Sequence, residues 1–332
     1  MIRKTAVFFA LMLLAIPSRA YALCLVGTLS GVPSIVTFTG SGGGYGVFDS
    51  AQYMQAVSFD VNVLTNLGPC RYYVTLDTGG GGGTSPRKMQ RGGDAPLNYN
   101  VYTSNVASPA VLAISGTYNG SSVISGQFAN IANVNQTRSH SFYWAITPQQ
   151  VRAASGGAAF EDISVNLRLW VDTTGLGVYV NLGVLGDTVP ITFRTTVKSD
   201  VDLSLVNTGA SLDLGDTTQT INFGDLTTGA SLLFDTMIRS NDGYRVTIES
   251  QNKQVLQHQD YPSVSASVPY GLQVNGAAVN LSSGAPVVAA TGTGVTPATG
   301  TRLPTRFTIG SMTGAEPAGD YQDVLMVTVS AN

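Results

Sequence analysis

The stretch whose reading decides the fold is GDYQDVLMVTVSAN, Gly319–Asn332. From Tyr321 onward, Tyr321, Asp323, Leu325, Val327 and Val329 fall on one face at every second position. Gln322, Val324, Met326, Thr328 and Ser330 fall on the other. A period of two reads as a strand, here with one strongly apolar side. In an antiparallel sandwich such a strand normally has partners on both edges. Coming last, it leaves two readings open: an ordinary sheet edge, or a place for another polypeptide to fill.

The same alternation recurs upstream. Val57, Phe59, Val61 and Val63 alternate, as do Phe142, Trp144 and Ile146, and then Ile163, Val165, Leu167, Leu169 and Val171. Between them lie GSGGGYG (Gly40–Gly46), GGGGG (Gly79–Gly83) and the polar run 130–139, and 148–159 has room for one short helix. Charged residues are 11% of the chain, well under the roughly 25% of ordinary soluble domains. Glu occurs only at 161, 249 and 316, and Lys only at 4, 88, 198 and 253. The residues that cover helix surfaces are therefore scarce, and Gly, Ser, Thr, Asn and Val take their place. The fold expected is all-β, two antiparallel sandwiches in tandem, with the boundary near Gly186.

The second series of strands is read at 191–197, 201–206, 212–214, 221–223, 232–234 and 244–248. A hairpin follows around Asn275-Gly276, a turn dipeptide that accepts positive φ. Ser282–Gly300 reads as a long loop, and 303–309 and 325–329 close the series.

Residues 1–22 read as a signal peptide. Arg3 and Lys4 precede an apolar run from Ala6 to Ile16, and Ala20-Tyr21-Ala22 is an A-x-A cleavage site. The run is shorter than the roughly 20 residues a bilayer span needs. Without Arg3, Lys4 and Arg19, 14 of the 17 basic residues remain against 20 acidic ones. That negative balance argues against a nucleic-acid partner. In an exported chain the two cysteines, Cys24 and Cys70, are expected to form one disulfide. Closing a loop of this length contributes about 4 kcal/mol in the chain-entropy model.

Catalytic and metal-binding readings are weak, so no enzyme and no cofactor is expected. Ser139-His140-Ser141 lacks an orienting carboxylate and an oxyanion hole, and a histidine on a turn beside a strand is the plainer reading. Glu161 and Asp162 are strand neighbours that point to opposite faces. Asp213, Asp216 and Asp225 lack calcium-loop spacing. Gly79–Gly83 runs into Thr84-Ser85-Pro86, without the lysine and helix of a phosphate loop. Arg87, Lys88 and Arg91 read as solvated charges on a loop, and Trp144 and Trp170 as packing residues. Several turn regions carry apolar side chains: Tyr45, Val47 and Phe48; Val106, Pro109, Val111 and Leu112; Ile131 and Val134. Projected from one end of a sandwich, these would form an exposed apolar contact surface.

Four first-half segments carry a resemblance: YGVFDSA (45–51), GPCRYYVTLDTG (68–79), RKMQRGGDAPLNYNVYT (87–103) and FEDISVNLRLW (160–170). The second half repeats it more faintly in INFGDLTTGA (221–230), SNDGYRVTIES (240–250) and the terminal strand, without cysteines. Together they resemble the spore coat U domain, the module of archaic chaperone–usher pilus subunits.

The resemblance implies two tandem Ig-like sandwiches. Residues 23–186 would be an adhesin domain, and 187–332 an incomplete pilin domain lacking its last strand. It implies a tip adhesin, exported through the periplasm to the cell surface, that attaches to host or abiotic surfaces and supports biofilm formation. Its partners would be a periplasmic chaperone, an outer-membrane usher and an adjacent pilin subunit. The foreign strand would enter a groove walled by Tyr321, Leu325, Val327 and Val329. With Cys24 tethered, no N-terminal extension is expected to be free for donation, as suits a subunit that only accepts. The other readings are a structural or minor pilin subunit without a receptor of its own, and a secreted carbohydrate-binding protein.

Overall fold

In a computed structural model of the chain, the described residues are 23–332 except 41, 67–69, 82–85, 107–108, 114–119, 130, 132, 155–156, 173–182 and 262–266. The expected signal peptide lies outside them. Ten strands build a first sandwich: β1 Leu23–Ser30, β2 Ile35–Thr37, β3 Gln55–Asn66, β4 Cys70–Leu76, β5 Arg87–Met89, β6 Leu97–Tyr102, β7 Ile124–Phe128, β8 Val134–Ile146, β9 Ala159–Asp172 and β10 Gly183–Thr196. They form two facing sheets, ordered β1-β3-β8-β6-β5 and β2-β10-β9-β4-β7. Every pairing is antiparallel except β2 with β10. Inward residues of both sheets meet in one core, including Phe59, Phe142, Trp144, Phe160 and Phe193. The Cys24–Cys70 disulfide ties β1 to β4 across the two sheets.

The boundary expected at Gly186 is corrected by β10, which pairs with β9 from Gly183 to Thr196. Gly186 is an extra residue where the register shifts between Leu185 and Asp187, and a side chain there would press on the Gly27 carbonyl, 3.2 Å from its Cβ. It therefore marks a bulge inside a strand. Residues 191–197 close the first sandwich. A second bulge, between Ile191 and Phe193 on the β10 side, sets two β9 residues against one. It reverses the inward face, so Phe160 is buried while Ile163 is 71% exposed.

The second sandwich uses β11 Val201–Asn207, β12 Ser231–Ser240, β13 Gly243–Ser250, β14 Val255–His258, β15 Ser267–Val274, β16 Ala277–Val279, β17 Val287–Thr293, β18 Thr301–Ile309, β19 Tyr321–Gln322 and β20 Leu325–Ala331. One sheet runs β11-β12-β18-β15-β14-β19, with β16 beside β15; the other is β17-β13-β20. The β15–β16 hairpin turns on Asn275 (φ 50°) and Gly276 (φ 79°), as the dipeptide predicts. Three expectations are corrected. The supposed loop 282–300 holds β17, where Gly292 sits under the Tyr244 ring and has no room for a side chain. Residues 212–214 and 221–223, expected as strands, are irregular, whereas Gly157 within 148–159 is in a 3-10 turn of helix next to residues 155–156, which lie outside the described ones.

The two sandwiches meet where the chain passes from β10 to β11. Tyr45 bridges Val197. The Asp200 carboxylate accepts from Val47 N (3.2 Å), and Asn241 Nδ2 donates to the carbonyls of Arg152 and Lys198 (3.1 and 2.7 Å). Burial raises the Asp200 pKa.

Candidate functional site

The two cores differ in completeness. Among the described residues, the first core has 32 buried members and only three partly buried hydrophobics against it. The second has 12 buried members and another 12 that are partly buried. Six of those twelve are Val201, Leu203 and Leu205 of β11 with Leu325, Val327 and Val329 of β20. These strands are the outer members of the two facing sheets. β20 pairs with β13 along one edge, from Ser250↔Leu325 to Tyr244↔Ala331. Its other edge meets no strand among the described residues. β11 pairs with β12, and at Leu205 its other edge is held by Asp216 O and Gln219 Nε2 (2.9 and 2.8 Å). The result is a seam between two strand edges, floored by half-covered aliphatic side chains.

In places the Cα atoms of β11 and β20 come within 8 Å. A strand inserted between them needs roughly 9.5 Å, twice the inter-strand spacing. The seam therefore has to spread by a few ångström at its narrowest point to admit one.

The terminal stretch enters this seam later than its sequence suggests. Tyr321 belongs to β19, opposite His258 of β14, with its hydroxyl on Pro317 O (2.7 Å). It is not on the β20 wall, so only Leu325, Val327 and Val329 of the four expected groove residues are brought together. The break is fixed by Asp323, which accepts from Ser250 Oγ (2.6 Å), Tyr270 OH (2.6 Å) and Asn252 N (3.0 Å). An inward carboxylate in an apolar series was legible; its role as the anchor of β20 was not. Burial, and then the bonded Asp323, hold the Tyr270 phenol in its protonated, donating form.

The residues expected to form one apolar contact surface are dispersed. Tyr45, Val47 and Leu112 are core residues. Tyr45 OH donates to Thr147 O and accepts from Gln150 N; burial raises its pKa to about 12 against the lowering effect of the Gln150 bond. Phe48 lies at the junction under the Arg239 guanidinium, 4.2 Å from the ring centre. Pro109 and Val111 are half-buried, Val111 being bridged to Tyr102. Val106 is exposed on the segment after β6.

Only Ile131 and Val134, 48% and 41% exposed, sit at the far end, by the disulfide and the first residues of β8. Val184 and Leu185, 53% and 43% exposed at the start of β10, share that end and were not singled out from sequence. Their β-strand period hides them among core positions. β10 places this end roughly 40 Å from the junction, at about 3.3 Å per residue.

Other candidates resolve into structure. Arg87 is fully buried, its guanidinium donating to the carbonyls of Leu76, Asp77 and Leu112, so the supposed solvated cluster is a core strut. Arg91 is also buried, over the Phe160 ring. His140 lies within β8, not on a turn, and bonds Tyr72 OH (2.6 Å). Trp144 is enclosed by Phe38, Tyr99 and Phe193, while Trp170 stacks on Tyr73 and donates to Thr75. Asp162 accepts from Tyr99 OH, and Glu161 pairs with Arg194.

No family model matches the sequence, and no curated protein matches it. Among solved structures, a chain of the CsuC–CsuE chaperone–tip adhesion subunit pre-assembly complex from archaic chaperone–usher Csu pili of Acinetobacter baumannii is similar. The match has 14% identity and a TM-score of 0.49, over 91% of this chain and 99% of that one. The CupB6 tip adhesin from Pseudomonas aeruginosa matches at 9% identity and a TM-score of 0.36, over 93% and 94%. CfaE, the adhesive subunit of CFA/I fimbria of enterotoxigenic Escherichia coli, matches at 13% and 0.28, over 93% and 80%.

Proposed function

We propose that this protein is the adhesive tip subunit of a surface fibre, joined to the fibre by a strand that a neighbouring subunit inserts between β11 and β20. The observation that carries the reading is the half-covered second core beside a complete first one. A sandwich with a β20 edge unpaired among the described residues, a β11 edge bonded at Leu205 to the 213–219 segment, and half-covered aliphatic side chains between them gains burial and backbone hydrogen bonds from an added extended segment. A periplasmic chaperone would hold that place until an outer-membrane usher exchanges it for the adjacent pilin. β1 is paired with β3 from Leu23 onward, so residues 23–30 are not a strand free for donation.

The first sandwich then carries adhesion. Ile131, Val134, Val184 and Leu185 offer apolar contact at the end away from the junction, suited to abiotic or host surfaces and to biofilm growth. A chain lacking residues 23–197 tests the division of labour. Intact fibres that no longer adhere support it, whereas loss of fibres supports a structural subunit with no receptor of its own.

A further inference from the structure

From Tyr143 back toward Val134, β8 keeps β3 on one side but has lost β6 on the other. Tyr102↔Tyr143 is the last β6–β8 pair, and the chain at Thr103 turns away to bond Ala110 O (3.0 Å). The divergence opens a groove of about 450 Å³ on the outer side of the first sandwich. This volume lies within the range of small-ligand sites. Eight residues line it, among them Ser58, Thr103, Asn105, Ser139, Ser141 and Tyr143.

Its chemistry is uniform. Lys, Arg, Asp and Glu are absent from its lining among the described residues. His140, at its base, has a lowered pKa from burial and then from Arg138, and its Nε2 faces Tyr72 OH. Ser58 and Ser141 share one hydrogen bond (3.0 Å), which leaves one hydroxyl proton of the pair to donate elsewhere. Ser139 donates to Asp60 (2.6 Å), leaving its own oxygen as an acceptor. Asn105 adds an exposed amide, and Tyr143 and Tyr102 lie side by side at the margin. Hydroxyls of both polarities beside a phenol ring, with the nearby Asp60 carboxylate already bonded to Ser139, match a ligand that has many hydroxyls and an apolar C–H face.

We propose that this groove binds a neutral pyranose sugar, with Tyr143 as the stacking platform and Ser58, Ser141 and Asn105 as hydroxyl partners. The site is independent of the strand-acceptor seam and lies apart from the apolar far end. It would give the chain a saccharide-reading surface in addition to an adhesive one. The core position of Trp144 is not involved.

The test is saturation-transfer NMR on the full chain with methyl glucoside, galactoside and mannoside, each at about 10 mM to capture weak single-sugar affinity. Sialyllactose serves as the charged comparison. The expected result is transfer to at least one neutral glycoside, weakened about fivefold by Ser141→Ala for one lost hydrogen bond. Tyr143→Ala should weaken it similarly, Tyr143→Phe should retain it, and Ile131→Ser should leave it unchanged. Thermal melts confirm that each variant is folded. Absence of transfer from all three neutral sugars, preference for sialyllactose, or binding indifferent to both Ser141→Ala and Tyr143→Ala would overturn the proposal. Loss of strand acceptance by the second sandwich with sugar binding intact would sink the fibre reading alone.

Discussion

Asp323→Ala is expected to loosen the second sandwich selectively. The Asp323 carboxylate takes four hydrogen bonds, one from its neighbour Val324 N and three from other segments, Ser250 Oγ, Tyr270 OH and Asn252 N. Ser250 and Tyr270 are themselves buried, so deletion strands two hydroxyls. Hydrogen bonds to a charged acceptor contribute about 1.5–3 kcal/mol each, and water entering the space recovers part of that. A net loss of about 4 kcal/mol follows, worth roughly 12 °C in the melting temperature of a domain this size. Calorimetry on the full chain reads it as a fall in the second-sandwich transition, with the first in place. Asp323→Asn keeps the shape and one acceptor oxygen, and should lose about half as much. A fall under about 2 °C for Asp323→Ala, or an equal fall in both transitions, would refute Asp323 as the anchor of β20.

Replacing Cys24 and Cys70 with serine should cost the first sandwich about 4 kcal/mol, seen as a lower first transition. A drop in the second transition instead would contradict the placement of the bridge. Because burial lowers the pKa of His140, the unfolded chain takes up a proton at higher pH than the folded one. The first sandwich should therefore lose stability as pH falls through about 6.5, the ordinary histidine value, and level off below the lowered one. His140→Gln should flatten that slope. Paired Ile131→Ser and Leu185→Ser substitutions should reduce attachment to apolar beads while leaving both melting transitions within about 2 °C.

Much of the fold is legible in the chain because most strands bury one face only. Val57–Val63 and Leu325–Val329 alternate cleanly, and those elements stand where the period puts them. Two of the failures share a cause: glycine and small residues read as linkers where they permit close approach. Gly186 lies against the Gly27 backbone, and Gly292 under the Tyr244 ring, so a bulge and a strand passed for a boundary and a loop. The bulge opposite Thr192 reverses the inward face at Ile163, which no strict period anticipates. Half of the groove was readable from Leu325, Val327 and Val329. Its opposite wall, Val201, Leu203 and Leu205, becomes visible only when the two sheets face each other. The contact surface was least legible, since Tyr45 and Val47 differ from Ile131 in burial and not in residue type.

The account stands on the second sandwich being completed by a foreign strand. Burying the remaining quarter or so of six aliphatic side chains gives about 3 kcal/mol, before any gain from backbone hydrogen bonds. The direct measurement is calorimetry of the full chain with a saturating peptide of alternating apolar and polar residues. The account predicts that the second transition rises by roughly 10 °C, the first stays fixed, and Val327→Asp abolishes the rise. A second transition that stays where it was at saturation, in a chain that already melts cooperatively alone, would contradict it.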